Sequence, residues 1–215
     1  MRLRRSSSAG TAAQTRAYAA RPDVLAPQLR AEIATVPPAP HGRPALVVLM
    51  GLPGVGKSHC ARLLCERIGA AHVASDELRR RMFIAPSYAD VENRAIFGAV
   101  TALTDALLAD GHRVVIDATN LLARNREPAV AVARRRGVPV TFIRVSGTDA
   151  ETRARLASRR TARAANDHSE ADESIYERMR DQRFEPPAEG FVDLANGEDL
   201  PAEIDRVVAA IEAEP

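Results

Sequence analysis

Aromatic residues make up only 4% of the 215 residues, and tryptophan is absent. Proteins that follow single-stranded nucleic acid need aromatic faces for base stacking, and those that hold a duplex need a surplus of positive charge. A net charge of +2, from 30 basic and 28 acidic residues, gives no such surplus, so extended nucleic-acid binding is not expected. Cysteine is nearly missing as well. Cys60 and Cys65 lie on one helical segment, point in different directions and make poor disulfide partners. They read as small apolar helix residues in a reducing setting rather than as reactive thiols. No stretch approaches the roughly 18 apolar residues of a membrane span, and no apolar segment follows the N-terminal arginines. The expectation is a cytoplasmic protein that does not meet a membrane. Residues 1–21 contain no acid. Organelle transit peptides share that composition with plain disordered tails, and a tail is expected.

Lysine is scarcer still than cysteine. Lys57 is the only one in the chain, every other basic residue being arginine. It closes the segment Gly51-Leu52-Pro53-Gly54-Val55-Gly56-Lys57-Ser58, which fits the P-loop pattern G-x-x-x-x-G-K-[ST]. In that pattern successive backbone N–H groups wrap phosphates while the lysine, a compact point charge, reaches the outer two. A planar guanidinium is too wide for the post, which explains one ammonium among so many arginines. The flanks agree: Ala45 to Met50 reads as a buried strand, and Ser58 to Ile68 as a helix whose N-terminus faces the anion. The loop residues, together with His59 after them, form the candidate nucleotide-binding set.

With 46% hydrophobic residues the chain can bury one α/β core with an appendage. Asp23 to Val36 reads as a short helix, and Val36-Pro37-Pro38-Ala39-Pro40-His41-Gly42 as a stiff extended linker. Residues 1–42 are therefore an arm and linker, and 43–215 the domain. Within it, apolar runs at Leu46–Met50, Ala71–Ala74, Val114–Ile116, Val138–Val145 and Phe191–Leu194 alternate with helical patterns over Val91–Ala109, Asn125–Arg136 and Pro201–Glu212. That alternation predicts a P-loop NTPase fold, a doubly wound parallel five-stranded sheet covered by helices. Asp149 to Phe184 is different, being crowded with arginine and broken by Ala165-Asn166-Asp167-His168-Ser169-Glu170. It reads either as a helical lid, approximately 149–184, with a mobile loop, or as a solvated hairpin.

Ser58 has the hydroxyl that binds Mg²⁺ in P-loop proteins. Two acids stand at strand ends beside it. Asp76, in Ser75-Asp76-Glu77-Leu78-Arg79, emerges where ligands bind in such sheets. It can take a proton from an attacking hydroxyl, or Ser75 or Asp76 can simply cap the next helix. Arg79, one turn along, can grip an anionic acceptor. Asp117 ends the apolar strand of Val114-Val115-Ile116-Asp117-Ala118-Thr119-Asn120, the pattern of a Walker B element. Metal binding, acceptor binding and an ion pair to Arg79 all remain open for it, and Thr119 and Asn120 bond either the loop backbone or the acceptor. Arg159 and Arg163 lie one helical turn apart in the lid and can both face the phosphates. Met82 to Tyr88 walls an acceptor pocket, with Tyr88 either stacked on a ring or packed into the core.

Taken together, these segments resemble the P-loop kinases related to polynucleotide kinase, a group that includes AAA-type ATP-binding and zeta-toxin-like proteins. The likeness runs from Leu46 to Ile211 and rests on the P-loop, on Ser75 to Arg79, on Val115 to Asn120 and on Arg159-Arg160-Thr161-Ala162-Arg163. It implies transfer of the ATP γ-phosphate to a hydroxyl, with Asp76 as general base, Arg79 on the acceptor, Lys57 and Ser58-bound Mg²⁺ on the triphosphate, and Asp117 supporting Arg79 or the acceptor. It also maps Arg163 onto a phosphate-clamping arginine and Arg159 onto its partner. Arg160 departs from the pattern, which has asparagine there. The expected acceptor is a small metabolite or a nucleic-acid 5′-OH. The rival expectation is an ATP-binding regulatory or interaction module whose lid follows the nucleotide state. Oligomeric state is not readable.

Overall fold

The structure is a computed structural model that describes residues 43–83, 88–163, 176–177, 179–181 and 183–213, with the backbone alone for 159–163. The expected helix at 23–36 and its linker lie outside the described residues, as do the lid stretch 165–170 and most of the 82–88 segment. Five strands and six helices have their whole backbone range described. They run β1 Leu46–Met50, α1 Lys57–Ile68, β2 Ala70–Ala74, α2 Ser75–Met82, α3 Asp90–Ala109, β3 Arg113–Asp117, α4 Ala123–Arg135, β4 Val140–Ser146, α5 Asp149–Arg163, β5 Val192–Ala195 and α6 Leu200–Ala213. Each expected strand and helix of the sheet is present, with ends that move by a residue or two.

All strands are parallel, in the order β2-β3-β1-β4-β5. Every residue of β1 is buried. A strand covered on both faces has to be apolar throughout, and Leu46-Val47-Val48-Leu49-Met50 is. Alternate residues divide between the two layers. Val47, Leu49, Val115, Ile143 and Leu194 meet Leu64 and Ile68 of α1 and Ile204 and Val207 of α6. Val48, Met50, Ile116 and Phe142 meet Leu103 and Leu107 of α3 and Val130 of α4. In α1 the buried positions Lys57, Cys60, Ala61, Leu64 and Ile68 recur at helical spacing, which presents one face to the sheet. Leu64 has no exposed surface, and truncating such a leucine to alanine costs about 2–5 kcal/mol.

The chain leaves β1 toward β2 and β3 on one side and returns to β4 and β5 on the other. A parallel sheet opens a crevice at that reversal, above the carboxyl end of the central strand. The loop 51–56 occupies it. Register brings the other candidates level with the loop, because Asp117 lies opposite Leu49 of β1 and Ala74 of β2.

Candidate active site

The loop between β1 and α1 is fixed from three sides. Gly51 N–H donates to the Thr119 carbonyl at 3.0 Å, so the strand ladder continues into the loop. Asn120, 1% exposed, donates Nδ2–H to the Leu49 carbonyl at 2.9 Å. On the far side, Asn196 after β5 donates Nδ2–H to the Val55 carbonyl at 2.7 Å. Gly56 has φ +97°, and a Cβ there would lie 1.9 Å from Asn196 Nδ2. Gly54, at φ +83°, faces Leu156 of α5 at 2.9 Å from where its Cβ would be. Glycine is required at both by conformation and by space. Gly56 is also the N-cap of α1, with no side-chain cap and no acid in the first turn. The first N–H groups of a helix have no intrahelical acceptor and carry its positive pole, the arrangement that suits an anion. Lys57, 9% exposed, donates Nζ–H to the Leu52 carbonyl at 2.8 Å and so lies across the loop.

Asp117 lies in this group. Its carboxylate is 5% exposed and stands 3.2 Å from His72 Nε2. Burial alone would push its carboxyl up, but the hydrogen bond from His72, the Lys57 charge and a hydrogen bond from Ser58 outweigh it and hold it below the usual carboxylate range. Lys57, Ser58 and Asp117 therefore converge, the arrangement of a phosphate-loop lysine and hydroxyl with a strand-end acid. The ion pair considered between Asp117 and Arg79 is not formed. Arg79 is instead held by α3: Nη2 donates to Asn93 Oδ1 at 2.7 Å, Nη1 to Glu92 Oε2 at 3.4 Å, and the guanidinium carbon is 4.4 Å from the Tyr88 ring centroid.

The same clamp takes in Tyr88, for which stacking on a ring and packing were both open. The Tyr88 ring faces a guanidinium rather than an open pocket. Its backbone takes φ +56°, rare for a side chain of that size, and is pinned where Tyr88 N–H donates to Glu92 Oε2 at 2.8 Å and Asn93 Nδ2 donates to the Tyr88 carbonyl at 3.2 Å. Arg79 itself is 6% exposed, and burial lowers its pKa against the Asp76 and Glu92 charges. Asn120 bonds the backbone, one of the two roles open to it, with its amide turned to β1. Neither Ser75 nor Asp76 caps α2, whose N-cap is Ala74 with no side-chain bond. Asp76 sits exposed in the first turn, at the same sheet edge as the loop.

A family model described as an AAA domain (AAA_33) matches residues 46–187. The chain belongs to that family. No curated protein matches the sequence. Solved structures similar to this AAA domain include the Mycobacterium tuberculosis APS kinase CysC in complex with AMPPNP and APS, at TM-score 0.61 and 21% identity over 82% of this chain and 100% of that one. A gluconokinase from Sinorhizobium meliloti 1021 gives 0.56 and 19% over 80% and 94%. Chaetomium thermophilum Kti12 in complex with ADP-AlF3 gives 0.61 and 24% over 78% and 97%. At these identities the likeness is one of fold: a P-loop, kinase-like α/β domain.

In this AAA domain α5 starts as part of the loop's support. Thr152 and Leu156 pack on Gly54, and Arg155 donates to the Val55 and Asn196 carbonyls at 3.3 and 3.1 Å. The first two turns of α5 are thus bolted to the phosphate loop. Arg159 and Arg163 follow in the last turns of α5, their side chains outside the described residues. A cavity of about 360 Å³ lies between loop and helix, lined by Leu52, Val55, Asp149, Thr152, Tyr176 and Arg180. Tyr176 donates its hydroxyl proton to Asp149 at 2.5 Å, which ties the returning segment to α5. His59 is exposed on α1.

His72, Asn196, Arg155, Glu92 and Asn93 were not legible as site residues. Each comes from another part of the chain than the residue it holds. The available signals were faint: His72 is the one polar side chain in the strand Ala70-Ala71-His72-Val73-Ala74, and Asn196-Gly197 is a turn dipeptide after a strand.

Proposed function

We propose that this AAA domain is an ATP-dependent kinase that transfers the γ-phosphate to a hydroxyl acceptor, a small metabolite in preference to a nucleic-acid 5′ end. The observation that carries the reading is the convergence of Lys57, Ser58 and Asp117 at one sheet edge, with the exposed carboxylate of Asp76 on the same edge. Loop N–H groups and the α1 N-terminus hold the outer phosphates, and the Lys57 ammonium exchanges the Leu52 carbonyl for phosphate oxygen. Ser58 and Asp117 fit Mg²⁺: a hydroxyl oxygen and an ionised carboxylate, near enough for Ser58 to lower the Asp117 pKa, are the hard oxygen donors such a cation takes. There a bound cation would supply positive charge against that of the leaving diphosphate.

Asp76 is the general base. It takes the hydroxyl proton as the acceptor oxygen bonds to the γ-phosphorus and the bond to the bridging oxygen breaks, ADP leaving with the electron pair. Arg79 shapes the acceptor side without offering a free charge, since Glu92 and Asn93 take its ends. A site whose cation is already balanced suits a neutral hydroxyl compound better than a phosphate-bearing strand. That is the departure from the polynucleotide kinase-like and zeta-toxin-like pattern. Arg163, with Arg159, clamps the transferring phosphoryl group as the far part of the lid closes.

The test is ADP release from Mg·ATP across polyols, sugars, amino sugars, nucleosides, sugar nucleotides and 5′-OH oligonucleotides, for wild type and Asp76→Asn. Stimulation by one class that vanishes in Asp76→Asn supports the kinase. Tight ATP binding with no stimulation by any class supports the regulatory module instead.

A further inference from the structure

His72 has no part in the roles above, yet its Nε2 lies 3.2 Å from the strand-end acid. In β2 it lies two residues before Ala74, which pairs with Asp117, so the histidine and the acid share a face of the sheet, one pleat apart. Diagonal neighbours on adjacent strands are within reach of a long side chain, and the imidazole closes the gap to 3.2 Å. The other residues of β2 are three alanines and a valine, none able to donate a side-chain hydrogen bond. Asp117, 5% exposed, has His72 as its hydrogen-bond partner, with Ser58 also lowering its pKa. An ionised carboxylate has no proton to give, so Nε2 carries the proton and donates.

We infer that His72 is a positioning residue: its Nε2–H holds Asp117 Oδ2 so that the carboxylate keeps the rotation in which it serves Ser58 and a divalent cation. The inference rests on the proposed metal role of Ser58 and Asp117. Without this donor the carboxylate loses one of the bonds that fix its plane and is free to turn toward the Lys57 ammonium, whose charge already acts on it. Residues that orient a metal-binding group in this way change metal affinity while leaving the metal-free ligand site intact. The side chain of His72 is 27% exposed and packs little core, so replacing it tests orientation rather than folding.

The experiment uses the full chain with Mn²⁺ and ADP as probes. Free Mn²⁺ is followed by its EPR signal at saturating ADP for wild type, His72→Ala and His72→Gln, and ADP binding is measured separately in EDTA by calorimetry. His72→Ala is expected to weaken Mn²⁺ about tenfold or more, to leave ADP affinity in EDTA within about twofold, and to be largely rescued by the donor retained in His72→Gln. Unchanged Mn²⁺ affinity in His72→Ala overturns the inference. So does an equal loss of ADP affinity in EDTA, which marks a general structural role, or a glutamine variant no better than alanine. A wild-type chain that binds ADP but takes up no Mn²⁺ with it overturns the metal reading itself, a result distinct from failure of the histidine alone.

Discussion

Replacing Arg79 by methionine removes a buried guanidinium and leaves its hydrophobic stem. The structure assigns Arg79 to a clamp with Glu92, Asn93 and Tyr88, so the variant should suffer in stability first. The carboxylate of Glu92 is 1% exposed and its Oε2 lies 3.4 Å from Nη1, while Asn93 Oδ1 loses a 2.7 Å bond. Removing one member of a buried ion pair costs about 3–5 kcal/mol. The lower end applies, because Tyr88 N–H still donates to Glu92 Oε2 at 2.8 Å. A loss of about 3 kcal/mol lowers Tm by roughly 6–12 °C in a chain of this size. Converting the buried carboxylate to an amide in Arg79→Met/Glu92→Gln should return about half of that, because a neutral pair no longer buries a charge. Thermal unfolding of wild type, both single variants and the double variant by circular dichroism gives the coupling directly. A Tm for Arg79→Met within about 2 °C of wild type, or a double variant no more stable than Arg79→Met, would refute the clamp and return Arg79 to the acceptor.

Gly56→Ala should abolish nucleotide binding, because its Cβ would meet Asn196 Nδ2 at 1.9 Å in a left-handed backbone; calorimetry with ADP checks this. Burial pushes the Cys60 and Cys65 thiols up to about 11 and about 12, so both should resist iodoacetamide at pH 8 in the folded chain and react once it is unfolded, as read by mass spectrometry. Asp117 has a folded pKa below its ordinary value of 3.8, so its ionised form adds stability that is complete above that value and disappears as pH falls through the folded one. Tm measured from neutral pH down into that acid range should therefore fall less steeply for Asp117→Asn than for wild type.

The sheet was legible because parallel strands covered on both faces must be continuous apolar runs, and Leu46–Met50 and Val114–Ile116 are such runs. The phosphate loop was legible because its backbone requirements leave a fixed pattern of glycine and a single lysine. The strand order was not, since nothing local in β4 says that it returns to the side of β1 opposite β3. The partners of the site residues were hidden for the same reason. Asp117 meets Ser58 and His72 only once β1, β2 and β3 are side by side, and no spacing in the chain announces it. Asp76 was expected either to cap α2 or to face the site. The helix starts one residue too early for capping, at Ser75, and the carboxylate is left at the open edge.

The central claim is that the phosphoryl group passes to a hydroxyl and not to water. Phosphorus NMR of wild-type reactions with Mg·ATP and the acceptor panel identifies the product by its resonance. The account predicts a phosphate monoester that grows with ADP for one acceptor class and is lost in Asp76→Asn. Inorganic phosphate as the sole product in every reaction, at a rate no acceptor changes, would contradict it.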